Sequence, residues 1–591
     1  MKTLHVKPLV AAVGLALSAP AAMAVNLDFS GSNIYMKFLD GDQKIAAQGS
    51  GDTATGADQG QWTEMELRIK AVISPKVEAG ARIQSRSSAA YWSEFGGFGL
   101  EGSVDNNVNK QIFMKLRGAY VQVTPGYNWL NMARIGSSDW GMFDPFTVGK
   151  VRYIDRDNYN GLYFRGPVAK GSWEVARVSL PEYLQTNYGQ GPTCCSTDDT
   201  RTQEATWIGQ LTMPVGPARL AASAQITEDH VKATDANLFD GQDVNTFAKN
   251  NVYMLKAEGN VMDGLELKGA YYRSEFETDA FFDQSWINSP KDSIDDNAFK
   301  VDVAWSPASV NGLSIAYQYF NIGEGFYSNT AARTESDVLL TEGSEAAWYG
   351  WGDPKWNGGA YSDYTQVAAT PKKVVTPAYG YTTAMGNGLT DNDFKDFNEA
   401  PSESILGWKG HTVLVNYDAF NVPMSAEYSR IEYNNNWQNY TGPLNHFYPA
   451  NQDRTTDIFV FKASHNFNVA GGLDASFKYK WVKDNDDVSK ATSADDAESK
   501  DSGFSFTLGK QLHNDLYGSV SYGHYSRDIS AAGVDYDNEK DIWSLKFNYS
   551  LAGFETGLLA QWIDGEGDPL RTGTKTDIEQ YRLKATVQAV F

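Results

Sequence analysis

The sequence predicts an all-β protein: one up-and-down antiparallel barrel of about 22 strands, within a range of 18 to 24, that crosses a membrane. Three observations predict it. Apolar and polar residues alternate with period 2 along most of the chain, short turns rich in Gly, Pro, Asn and Asp recur between the alternating segments, and no run of 18 apolar residues follows residue 24. Alternation sends successive side chains to opposite faces of a sheet. A chain without an apolar helix can still cross lipid if its strands close on themselves, because closure pairs every backbone N–H and C=O.

The N-terminus reads as a targeting segment over 1–24. Lys2 and Lys7 give a positive start, Leu9 to Leu17 an apolar stretch, and Ala22-Met23-Ala24 a small-residue cleavage site. The expected mature chain begins at Val25. A length of 591 residues would ordinarily suggest about four domains. The pattern is uniform from 25 to 591, so one barrel domain is expected, with a long surface loop at about 325–409. Alternation begins at Asn26, so no plug is expected before the first strand and energised uptake is disfavoured.

The ten short turns fall at 74–76, 125–126, 166–171, 214–216, 262–264, 306–312, 421–423, 470–472, 513–515 and 552–553. Gly, Asn and Asp supply positive φ there, and Pro supplies a fixed φ. Ten turns join twenty strands, and one strand at each end makes 22. Strands of about ten residues, with short turns at one end and long loops at the other, are the pattern of outer-membrane barrels. In 61–73, Met65, Leu67, Ile69, Ala71 and Ile73 share one face, against Glu64, Glu66, Arg68 and Lys70 on the other. Segments 472–483 and 541–549 alternate in the same way. Trp62, Tyr271, Trp305, Tyr319, Trp481, Trp543 and Trp562 near strand ends suit girdles at two membrane interfaces.

The last strand is the most specific local signal. Tyr581, Leu583, Ala585, Val587, Ala589 and Phe591 share a face, opposite Gln580, Arg582, Lys584, Thr586 and Gln588. This resembles the C-terminal signal that the barrel-assembly machinery reads. That resemblance implies an outer-membrane location, with outer-membrane lipid and lipopolysaccharide as surroundings.

Charge and motifs exclude other classes. The net charge is −23, and −25 once the leader is gone, which argues against nucleic-acid binding. Acidic runs such as 484–487 read as solvated loops. Cys194 and Cys195 are adjacent, so they cannot join distant segments, and they read as a loop feature. No G-x-S-x-G or H-E-x-x-H occurs, so no enzyme, metal or cofactor is expected. His230, beside Glu228 and Asp229, is the one candidate for a catalytic site at the rim. His465 and His524 are placed on the lipid side.

Arg68, Lys70, Arg82, Arg86, Lys115 and Arg117 fall on polar faces of early strands, interspersed with Glu64, Glu66 and Glu78. They form an expected lumen wall, either guiding anions or bracing itself by ion pairs. The stretch 134–164 reads Arg134-Ile135-Gly136, then Asp139 to Pro145, Arg152 to Asn158 and Gly161 to Phe164. It is similar to substrate-specific porins and alginate-export-type barrels. In those an early loop narrows the pore, which implies Asp144, Lys150, Arg152, Asp155, Arg156 and Asp157 as constriction residues. The porin resemblance also implies a homo-oligomer. The expected function is passive diffusion of small hydrophilic solutes, anions among them. The alternatives are an export or electron-transfer conduit filled by a polysaccharide or partner protein, a surface receptor or adhesin, and an enzyme at the rim.

Overall fold

The computed structural model describes residues 26–47, 53–57, 60–88, 113–138, 143–144, 160–179, 204–229, 234–239, 242–245, 248–278, 293–323, 325–326, 328, 408–419, 422–433, 454–468, 471–486, 497–531, 534–567 and 576–591. The leader, Cys194, Cys195, His230 and most of the loop at 325–409 lie outside them.

Every regular element among the described residues is a strand. In chain order these are β1 (Asn26–Asp28), β2 (Asn33–Ala47), β3 (Thr53–Ala57), β4 (Gly60–Ser74), β5 (Val77–Ser88), β6 (Phe113–Val123), β7 (Met132–Ser137), β8 (Asn160–Val168) and β9 (Gly171–Ser179). There follow β10 (Glu204–Val215), β11 (Ala218–Asp229), β12 (Thr234–Phe239), β13 (Gln242–Asn245), β14 (Ala248–Met262), β15 (Leu265–Thr278), β16 (Ser293–Trp305) and β17 (Leu313–Ile322). The last nine are β18 (Trp408–Ala419), β19 (Val422–Tyr433), β20 (Arg454–Phe467), β21 (Leu473–Asp486), β22 (Ala497–His513), β23 (Leu516–Ala531), β24 (Val534–Leu551), β25 (Phe554–Gly567) and β26 (Thr576–Val590).

Short β1 and β3 are additional segments pairing with β4 and β2, while β12 and β13 make a separate hairpin. The other 22 strands run antiparallel, each beside its sequence neighbours. The sheet closes where β2 pairs with β26, from Asn33 opposite Val590 to Ala47 opposite Thr576. The fold is therefore a closed barrel of 22 strands. All ten turns read from the sequence join consecutive strands of it. Gly126, Gly216, Gly264, Gly312, Gly471 and Gly553 take positive φ there, as do Ala169 and Ala552.

Burial distinguishes the two faces of the wall. Leu116, Ile135, Leu211, Leu255, Val520, Leu545 and Leu558 are large, apolar and exposed on the outside. Trp207, Tyr271, Phe299, Tyr428, Trp543 and Trp562 are exposed six to eight residues from the short-turn ends of their strands. Trp305, Tyr417, Phe467 and Phe554 are exposed at the short-turn ends. An apolar band between two aromatic rings matches lipid between two headgroup layers. This is a transmembrane barrel of outer-membrane type. Tyr581, Leu583, Ala585, Val587 and Ala589 lie on the same face of β26 as the Trp562 partner position.

Candidate functional site: the lumen and its inward segments

The inner wall carries the polar residues, and two segments fold against it. The first follows β7. Asp144 sits 9% exposed, with its Oδ2 3.9 Å from Lys256 Nζ on β14. Phe143 is 3% exposed and meets the ring of Tyr163 on β8 edge-on, with centroids 6.3 Å apart. Lys256 also pairs with Glu258 at 3.7 Å, and Glu258 with Arg219 at 3.5 Å. The described residues of this segment thus touch β8 through Phe143 and β14 through Asp144.

The second segment follows β17. Gly323 N donates to Asn297 O at 2.9 Å, and Gly325 N to the Asp296 carboxylate at 3.0 Å. Phe326, 2% exposed, meets the ring of Tyr272 at 6.3 Å. Ser328 is fully buried.

Burial of the inner wall follows these segments. On β8 to β17, inward-facing Tyr163, Ala176, Val178, Ile208, Val252, Met254, Tyr272, Phe320 and Ile322 are buried. Burial continues through Ile431 of β19 to Ile458 and Val460 of β20. Beyond, near the short-turn ends of β21 to β24, inward-facing Ser476, Lys478, Ser505, Thr507, Ser519, Ser521, Ser544 and Lys546 keep open surface. The inner wall is therefore left partly open at these positions, while Ile542 of β24 and Gln561 and Ile563 of β25, which also face inward nearer the loop ends, are buried.

Arg68, Lys70 and Arg82 lie on the face of β4 and β5 opposite Leu67 and Ile69. Each has a carboxylate partner. Glu66, whose side chain is 6% exposed, accepts from Arg68 Nε at 2.5 Å and from Arg82 Nη2 at 2.7 Å. Lys70 Nζ lies 3.0 Å from Glu78, which also accepts from Tyr120 OH at 2.6 Å. Two cations on one buried carboxylate, within the low-dielectric wall, form a brace. Arg86 pairs with Glu64 in register, and Lys115 with Gln84. Arg117 is the extra residue of a bulge, since Arg82 faces Gly118 and Ile83 faces Leu116. The side chains of Arg86, Lys115 and Arg117 lie outside the described residues, as do Lys150, Arg152, Asp155, Arg156 and Asp157. Of the constriction candidates, Asp144 alone is described, and it is brought inside.

Sequence reading put Lys478, Lys546 and Lys584 on polar faces of the later strands but did not name them, or Lys462, as lumen-wall residues. Lys462, Lys478, Lys546 and Lys584 occupy inward positions of β20, β21, β24 and β26. Their signal was present, since they alternate with the lipid-facing residues. Among the described residues there is no cluster of His, Cys, Asp or Glu able to hold a metal.

The sequence matches no protein-family model and no curated protein. Solved barrels are similar in architecture. Pseudomonas aeruginosa OccK10 (OpdN) is 9% identical with a TM-score of 0.31, over 95% of this chain and 99% of that one. A BenF-like porin from Pseudomonas fluorescens Pf-5 is 10% identical with a TM-score of 0.31, over 95% and 100%. The siderophore receptor PirA from Pseudomonas aeruginosa is 8% identical with a TM-score of 0.33, over 95% and 80%. The likeness is one of barrel architecture, and nothing further is drawn from it.

Proposed function

We propose that this barrel is a passive channel of the outer membrane for small hydrophilic solutes, anions among them. The observation that carries this reading is the division of the inner wall into buried and open positions. A barrel of 22 strands is wide enough to hold a lumen larger than its own side chains can fill. Here the described residues of two inward segments pack against β8, β14, β15 and β16. What remains is a lane beside the short-turn halves of β21 to β26, where inward-facing Ser476, Lys478, Thr507, Ser519, Ser521 and Lys546 are not buried and suit water and hydrated solutes, with Leu559 among them.

Refolded protein in a planar bilayer tests this directly. Discrete conductance steps are expected, with a reversal potential under a salt gradient that reports ion preference. Absence of conductance from a correctly folded barrel, judged by its heat-modifiable mobility, would overturn the reading.

A further inference from the structure

We infer that Gly503, Gly509 and Gly523 set the calibre of the lane, and with it the size of solute that passes, by letting Tyr517 and Tyr525 lie flat against the inner wall. This rests on the channel reading above and names what fixes the width of the path.

Val520 of β23 is exposed on the lipid side. Tyr517, Ser519, Ser521, Gly523 and Tyr525 therefore share the opposite, inner face of that strand. On β22, Phe504 and Phe506 are exposed outside, so Gly503 and Gly509 face inward. Tyrosines standing upright on such a wall would project into the lumen. Here each lies over glycine instead. A Cβ on Gly509 would stand 2.5 Å from Tyr517 Cζ. One on Gly503 would stand 2.9 Å from Tyr525 Cε1, and one on Gly523 2.7 Å from Tyr525 Cε2. Carbon atoms in contact need about 3.5–4.0 Å. The rings thus fill the space that side chains at these positions would take.

Register explains the two seats. Tyr525 stands directly opposite Gly503, and Gly523 precedes it by two residues on its own strand. Its ring covers both. Tyr517 leans diagonally. Gly509 pairs with Ser519 on one side and with Asp474 of β21 on the other. The Tyr517 hydroxyl interacts with the Asp474 carboxylate, which also accepts from Asn466 Nδ2 at 2.5 Å. Tyr517 therefore reaches from β23 across β22 to β21, over two strand spacings of about 4.8 Å each. Gly509 and Gly523 are buried, while both rings keep part of their surface open.

The arrangement recurs on the early strands. Tyr120 of β6 stands opposite Gly80 of β5, where a Cβ would lie 2.6 Å from Tyr120 Cζ. Its hydroxyl donates to Glu78 at 2.6 Å, and the Arg134 guanidinium lies 4.2 Å from its ring centre. None of the four glycines takes a positive φ, so no turn conformation requires them. Glycine inside a strand weakens it and marks a place where another group comes close. The group here is the tyrosine ring. On β22 and β23 the inward residues between the two tyrosines, Ser505, Thr507, Ser519 and Ser521, are no larger than threonine. The rings alone can change the width of that part of the wall.

The test is the size of single-channel steps and the largest polyethylene glycol that enters the channel. The proteins are wild type, Gly509→Ala, Gly523→Ala, Gly509→Ala with Tyr517→Ala, and Gly523→Ala with Tyr525→Ala. Each is recorded only as heat-modifiable barrel. An added methyl lifts the ring off the wall, so smaller steps and a lower polymer cut-off are expected from the two glycine variants. Removing the ring as well is expected to return both readings at least to those of wild type. A role in folding alone would lower the yield of barrel and leave the steps of the folded fraction unchanged. That result would overturn the calibre assignment while leaving the channel reading intact. Where alanine at either glycine yields no barrel, Tyr517→Phe decides. Without its hold on Asp474 the ring is expected to swing and add flicker to the current, and a trace like that of wild type would overturn the assignment. No conductance even from wild type would overturn both readings.

Discussion

Asp144 and Lys256 lie 3.9 Å apart although one belongs to the segment after β7 and the other to β14, with four strands between them along the wall. The Asp144 side chain is 6% exposed and that of Lys256 33%. A carboxylate so covered is costly to leave unpaired. The pair therefore pins the first inward segment to β14.

Removing the pin is expected to loosen the segment without unfolding the barrel. Asp144→Asn and Lys256→Met should each weaken docking by roughly 1–3 kcal/mol, the usual range for a buried group that loses its partner. Single-channel recordings should then show larger and noisier steps. The double variant should resemble either single one, because both remove the same contact. Unchanged recordings would place the constriction elsewhere.

Glu66→Gln should destabilise the wall. It leaves Arg68 and Arg82 facing each other across β4 and β5 without the carboxylate that both engage. A loss of about 3 kcal/mol is expected, the lower end for breaking a buried pair, because Arg68 is half exposed. Urea unfolding in liposomes measures it. Glu66→Gln with Arg82→Gln should recover part of the loss.

Gly136 is a point where the backbone admits no side chain. Its φ is +113°, and a Cβ there would lie 2.1 Å from Ala119 O on β6. Gly136→Ala should therefore separate β6 from β7. The check is the yield of heat-modifiable barrel, which should fall well below that of Gly126→Ala, where a Cβ meets nothing within 4 Å and only the turn φ is strained.

Neighbouring residues on β24 should respond in opposite senses. Leu545 faces lipid and Lys546 the lumen. Leu545→Arg should cost about 2–4 kcal/mol, as an arginine does near the bilayer midplane of a barrel. Lys546→Leu should leave the unfolding midpoint nearly unchanged. Equal effects at the two positions would contradict the assigned faces.

The fold was legible because a closed barrel repeats one local rule. Period-2 alternation and turn chemistry are set by near neighbours, so the strands around Leu67, Trp481 and Trp543 could be read without their partners. Gly166 shows the limit of such reading: it lies within β8, and the turn itself is Ala169 and Lys170. The site was less legible because pairing across strands decides what a charge does. Arg68 and Arg82 look like a free basic wall in one dimension. Their shared Glu66 becomes visible only in the register of β4 with β5. Lys462 and Lys478 were equally readable as inward residues, but their face-to-face position needed that of β20 with β21. Docking of Asp144 on Lys256 joins segments that no sequence spacing relates.

The seam between β2 and β26 has a temporal meaning. Its fifteen register pairs, Asn33 with Val590 through Ala47 with Thr576, join the first long strand to the last. Every other wall contact forms between strands that emerge one after another, so a growing sheet can curl as it lengthens. Until the final strand arrives, however, both margins of that sheet offer unpaired N–H and C=O groups that hydrocarbon cannot satisfy. An unfinished chain is therefore an open ribbon with two adhesive borders. It must be escorted, or kept out of lipid, until residue 590 meets residue 33.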